Sequence, residues 1–261
     1  LDRSYFGYVG YPGEWGGIYF FEQSYGNEME WVVLKNGGNS AGGALPAAIQ
    51  VTGSSSSVAN VQLTMKHTII ENAMGYGIAA FQGNFMMENC LVQATGASAL
   101  AIFQGGNYTV RNCSFINYFP PRVSHTEYPT VSVLSHLDTG NKFEHYIGAD
   151  LRAEFTNCLI YGSLEEELVV RRKGSNVFDV RFDHCLIKTS RKTDVFTPDA
   201  VQVSCKYNED PRFADYKEEN FRAADNNSPL VDAGTGNWPG TDLDDKPRTV
   251  GRVDIGCYEF Q

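Results

Sequence analysis

Arg171, Arg172 and Lys173 stand side by side, with His184 one segment later. Cations beside an imidazole suit elimination on a uronate glycan. The cations neutralise the sugar carboxylate, and a base takes the proton α to it. A plainer reading is a solvated turn whose charge balances Glu165, Glu166 and Glu167. A second group is His125, His136 and His145 with Asp138 and Glu144. These types bind polar substrate groups, move protons or hold metal. The histidine spacings, 11 and 9, match no metal-ligand motif, so no metal site is expected there. His125, His136, Asp138, Glu144 and Trp238 are the candidate substrate contacts.

Further candidates are weaker. Asp232, Asp242, Asp244 and Asp254 surround Arg248. Asp242-x-Asp244 suggests calcium, the one cofactor the sequence raises, but the rest of an EF-hand loop is missing. An Asp–Arg network holding a terminal module is the favoured reading. Glycoside hydrolysis needs two carboxylates on one face, and Asp179 with Asp183 is the nearest approach. Tyr5, Tyr8, Tyr11, Trp15, Tyr118 and Trp238 offer flat faces for sugar rings.

A repeat must position these residues. Asn89-Cys90-Leu91-Val92 recurs as Asn112-Cys113-Ser114-Phe115, Asn157-Cys158-Leu159-Ile160 and His184-Cys185-Leu186-Ile187. Trp31-Val32-Val33-Leu34 and His67-Thr68-Ile69-Ile70 fit with the Cys replaced. The steps between equivalent positions are 36, 22, 23, 45 and 27 residues. A unit of 22 or 23 explains most of them; the step of 45 is two units or one with a long insertion. A second ladder runs upstream through Gly17-Ile18-Tyr19-Phe20, Ala48-Ile49-Gln50-Val51, Gly77-Ile78-Ala79-Ala80-Phe81, Ala99-Leu100-Ala101-Ile102-Phe103 and Thr130-Val131-Ser132-Val133-Leu134.

Such a period signals a solenoid, and short β-rich segments separated by Gly and Asn make each unit a coil of strands. The expected fold is all-β, a right-handed parallel β-helix. Cys90, Cys113, Cys158 and Cys185 then form one inward file of free thiols, with Thr68 and Val32 in the same file. Asn89, Asn112 and Asn157 sit at a bend, where Asn tolerates left-handed backbone.

These coils resemble those of exported right-handed β-helix proteins of Bacteroidetes-type bacteria. Trp15-Gly16-Gly17-Ile18-Tyr19-Phe20 and Met29-Glu30-Trp31-Val32-Val33-Leu34-Lys35-Asn36-Gly37-Gly38 carry the likeness. The C-terminal pattern is sharper: Asp210-Pro211-Arg212-Phe213, Ser228-Pro229-Leu230-Val231-Asp232-Ala233-Gly234, Asp242-Leu243-Asp244-Asp245-Lys246-Pro247-Arg248 and Asp254-Ile255-Gly256-Cys257-Tyr258-Glu259-Phe260. It is similar to the choice-of-anchor Q type terminal region. Asp245 stands where Gly is usual, and Cys257 where Ala is usual. The resemblance implies a secreted or cell-surface location, as for a lipoprotein, with signal and anchor outside this chain. It implies little about activity, because the fold hosts lyases, hydrolases, adhesins and binding modules.

Coils are expected over residues 1–205, with a long insertion at 118–150. Residues 206–261 are expected to be a small capping module over the last coil. The net charge of −10 disfavours nucleic acid as a partner. No stretch approaches the ~20 apolar residues of a membrane helix. A monomer is expected, with a polysaccharide as partner. The leading function is glycan binding. The alternatives are a lyase or glycoside hydrolase acting on an acidic glycan, and a structural or adhesive surface protein.

Overall fold

A computed structural model describes residues 10–39, 46–54, 60–118, 125, 127–138, 146–189, 200–237, 240–248 and 251–261. The described strands stack into three parallel sheets of six, seven and seven strands, wound as a right-handed β-helix. The first sheet contains Ile18–Phe20, Ala47–Thr52, Tyr76–Phe81, Leu100–Phe103, Val131–Leu134 and Leu168–Arg171. The second runs from Asn27–Glu30 to Ala200–Val203, and the third from Val33–Lys35 to Lys206–Tyr207. The first six coils pass from first to second to third sheet, and Ala200–Val203 and Lys206–Tyr207 add one further strand to the second and third. The stacked strands therefore continue to Tyr207.

The recurring motif is the bend from second to third sheet. Trp31, His67, Asn89, Asn112, Asn157, His184 and Ser204 all have left-handed backbone there, with φ between 45° and 55°. Asn tolerates this region readily, and the bulky Trp31 is the exception. Its ring stacks on His67 of the next coil, with centroids 4.2 Å apart. The next residue is buried in the bends after His67, Asn89, Asn112, Asn157 and His184, and partly buried at Val32 and Cys205. Cys90, Cys113, Cys158, Cys185 and Cys205 each donate Sγ–H to the carbonyl two residues upstream, at 3.1 to 3.6 Å. Thr68 Oγ1 does the same to Lys66 at 2.9 Å. From Thr68 onward the file thus carries a small side chain with one donor, which accounts for both Cys and Thr; Val32 in the first described coil is small but has no donor. Cys205 extends it by a coil, in the string Ser204-Cys205-Lys206-Tyr207.

All six cysteines are free. Burial pushes Cys113 and Cys185 well up and Cys257 up to about 12. The side-chain hydrogen bond with Cys185 pushes Cys205 up as well. A thiol reagent at neutral pH is therefore expected to label none of the file within minutes, and all six cysteines after denaturation. Rapid labelling of the native file would refute its inward register.

The step of 45 residues is a single enlarged coil. Ser114–Asn117 pairs directly with Leu159–Gly162, and Gly106–Arg111 with Leu151–Thr156. The extra length enters at two places around the first-sheet strand Val131–Leu134, rather than as one insertion over 118–150. The second place contains an antiparallel pair, His136–Asp138 with Tyr146–Gly148. The one-residue insertion at Gly105-Gly106 faces Gly83. Gly106 has φ 113°, and a Cβ there would lie 2.4 Å from the Gly83 carbonyl oxygen.

The C-terminal module differs from expectation in where it lies. Its described contacts run back along the side of the solenoid, over the outer face of the third sheet. Leu230, Leu243, Ile255 and Cys257 pack on Leu91, Ile116, Leu159 and Leu186 in a second apolar cluster. Thr241 O accepts from Asn89, Thr235 pairs with Asn157, and Cys257 N–H donates to Ser114 Oγ. The sheet's outer face is apolar at alternate positions, so it must be covered, and the module supplies the cover. Asp245 keeps the left-handed turn at φ 62° although it is not Gly.

Candidate functional site

The structure does not bring the expected catalytic residues together. Arg171 ends the first-sheet strand and is exposed, as is Arg172, which donates to Asn176 O at 3.3 Å. The Lys173 backbone N–H donates to Ser135 Oγ. His184 lies past the far end of the second-sheet strand Phe178–Asp183, roughly 20 Å away along that strand. A strand that long separates the cations from the imidazole, so they do not form one site. His184 Nδ1 is instead 2.6 Å from Asp183 Oδ1, and Arg181 is 2.8 Å from Asp183 Oδ2. Burial alone would raise the Asp183 carboxyl, but these two partners outweigh it and hold it low.

His125 is fully buried with both ring nitrogens engaged. Asn117 Oδ1 accepts the Thr95 backbone N–H, which turns its amide nitrogen towards His125 Nδ1 at 2.9 Å. Nδ1 is therefore the acceptor, and Nε2–H donates to Glu167 Oε2 at 3.1 Å. Glu167 also accepts from Thr130 and from Leu164 N–H. This network ties the loop to the coils and leaves His125 no edge for a substrate. His136 is buried too, and Asp138 lies in the antiparallel pair. Glu144, His145 and Trp238 lie outside the described residues.

The Asp residues of the module serve its turns. Asp242 Oδ1 accepts from Asp244 and Lys246 N–H, and its Oδ2 accepts from Glu259 N–H. Asp244 is forked by Arg222. Arg248 pairs with Glu259 rather than with an Asp. Among the described residues, no group of three or more His, Cys, Asp or Glu side chains is arranged to hold a metal.

A cleft of about 620 Å³ lies elsewhere, between the third sheet and the module. Its floor is one outward file of that sheet. Gln93 pairs in register with Ile116, Ile116 with Tyr161, and Lys188 follows in the next coil. Its roof is the turn between the strands Phe213–Asp215 and Asn220–Ala223, bringing Tyr216, Lys217 and Glu219, with Phe221 from the second of those strands. Tyr118 stands between floor and roof, 5.0 Å from Tyr216 and 6.3 Å from Tyr161 between ring centroids. Burial pushes the Tyr118 and Tyr161 phenols up, and the Asp210 carboxylate adds to it. They are hydrogen-bonding alcohols at neutral pH, not bases.

The polar groups are held in place. Lys188 Nζ donates to Gly162 O at 2.6 Å and sits 5.3 Å over the Tyr161 ring. Gln93 Nε2 donates to Glu71 at 3.1 Å and Glu219 at 3.3 Å. Two buried polar atoms on the lining, Gln93 Oε1 and Ser163 Oγ, have no hydrogen-bond partner among the described residues. Of the aromatics proposed from sequence, Tyr118 lines this cleft. No signal in the sequence marked the others, because the lining comes from segments far apart in the chain.

Residues 3–115 match the family model of the right-handed beta helix region. No curated protein matches the chain. The fold and the family match agree on a parallel β-helix, and neither specifies an activity.

Proposed function

We propose that this is an exported, secreted or surface-held β-helix protein that binds glycan in the cleft between its third sheet and its C-terminal module. One observation carries the reading. Tyr118, Tyr161, Tyr216 and Phe221 line an open cleft together with donors and acceptors at Gln93, Ser163, Lys188 and Asp210. Aromatic faces cover the apolar faces of sugar rings, and the polar groups meet the hydroxyls. The likeness to choice-of-anchor Q proteins of Bacteroidetes-type bacteria supports the location at the cell surface.

The test is a binding panel of neutral and acidic polysaccharides, read beside absorbance for unsaturated uronate. Tyr216 is 47% exposed, so its removal leaves the core intact. Tyr216→Ala is expected to weaken binding about tenfold with an unchanged melting temperature. Unchanged affinity would sink the cleft as the site. A growing unsaturated product would make the protein a lyase and return attention to Arg171–Lys173.

A further inference from the structure

We infer that the cleft takes a short run of neutral sugar residues laid along the solenoid axis. This rests on the glycan reading above and gives the ligand a charge, a direction and a length.

Charge follows from the unpartnered atoms. Both amide hydrogens of Gln93 are engaged by Glu71 and Glu219, which fixes the orientation of the amide. Its Oε1 is left as a buried acceptor. An acceptor is satisfied only by a ligand that brings a donor. A sugar hydroxyl donates; a carboxylate or sulfate group offers lone pairs alone, so such a group cannot be the one that faces Gln93. Seating an anion against Gln93 and Glu219 would leave Oε1 unpaired and add repulsion, a combination that sites use to reject ligands. Ser163 Oγ can donate or accept, as a hydroxyl partner requires. The lining ammoniums, Lys188 and Lys217, are balanced by the carboxylates of Asp210 and Glu219. The net charge of −10 further disfavours a polyanion.

Direction and length follow from the floor. Gln93, Ile116, Tyr161 and Lys188 occupy four successive coils. Three strand spacings place the ends about 14 Å apart. That is the length of about three sugar rings in an extended chain. The two ends differ: Gln93 offers an acceptor, and Lys188 offers donors for ring or hydroxyl oxygens. A chain with distinct ends therefore seats in one direction.

Titration calorimetry with neutral oligosaccharides of increasing length, and with acidic chains of matched length, tests this at low and high salt. Affinity for neutral chains is expected to rise until the third or fourth residue and then level. It is expected to change less than about twofold with salt, since no phosphate-like ion pairing is involved. Gln93→Met and Ser163→Ala are each expected to lose roughly tenfold. Salt-sensitive binding of acidic chains, abolished by Tyr216→Ala, would overturn the neutral assignment and leave the cleft as the site. Neutral binding that keeps strengthening well past four residues would overturn the length. Absence of binding by any glycan would overturn this inference and the proposed function together.

Discussion

Replacing Arg248 with Met is expected to lower the melting temperature by roughly 10 °C and to release the C-terminal module from the third sheet. Arg248 is 2% exposed. Its Nε donates to Asn89 Oδ1 at 2.7 Å, one Nη to Glu259 at 3.0 Å, and the other to Gly256 O at 2.9 Å. One guanidinium thus joins the bend ladder to the end of the chain, across 159 residues. Removing Arg248 leaves buried acceptors on Asn89, Glu259 and Gly256 without their donor, which costs about 3–5 kcal/mol in all. Met retains most of the volume, so the loss is one of charge and hydrogen bonds rather than of packing. Lys keeps the charge but not the fork, and Arg248→Lys is expected to fall between Met and wild type.

The module should loosen before the coils do. The coils are held by three sheets, whereas the module is held by its apolar cluster and a few polar anchors. Hydrogen exchange in Arg248→Met is expected to rise over residues 206–261 while the second-sheet amides stay protected. Adding Glu259→Leu should recover part of the loss, because it removes the buried carboxyl that Arg248 no longer satisfies. A melting shift below about 2 °C for the single variant would show that Arg248 does not anchor the module.

The coil architecture was legible because in-register stacking repeats a local demand at every turn. A left-handed bend followed by a small inward donor writes Asn-Cys again and again, and the structure shows φ near 50° at each such Asn. Cys205 carries the same signal, but the residue before it is Ser204, which weakens the match. The path of the tail was less legible. Exposed edges at a solenoid end suggest an end cap. The stronger demand was lateral, because Leu91, Leu159 and Leu186 face outward from the third sheet and need cover. Those residues read as ordinary strand alternation until the sheet's other face is known. The cleft depends on that path. Gln93, Tyr161, Lys188 and Tyr216 meet only because the tail runs back past the sheet, and no spacing in the chain encodes it.

The same anchor should make the module sensitive to pH. Glu259 is 3% exposed, beside Asp254 and Asp242 as well as Arg248. Burial pushes its carboxyl from 4.5 up to about 7, with Asp254 adding to the rise and Arg248 opposing it. Burial raises Asp254 as well. The folded protein therefore binds the Glu259 proton more tightly than the unfolded chain does. Its contribution to stability is complete below 4.5, declines as pH rises, and is gone above about 7. The full difference is of order 3 kcal/mol. Asp183, Asp225 and Asp244 are held low, so their contributions fade only below the ordinary carboxylate range and leave this window untouched. Wild type is therefore expected to melt several degrees lower at pH 7 than at pH 5. Glu259→Gln should remove most of that slope, because the amide mimics the protonated acid and still accepts from Arg248. Every other group is common to both proteins, so the difference between the two slopes isolates Glu259. Equal slopes would mean that the carboxylate is charged throughout. If the slopes differ, glycan affinity should follow the same pH dependence, because the module that Glu259 helps to hold also carries Tyr216 over the cleft.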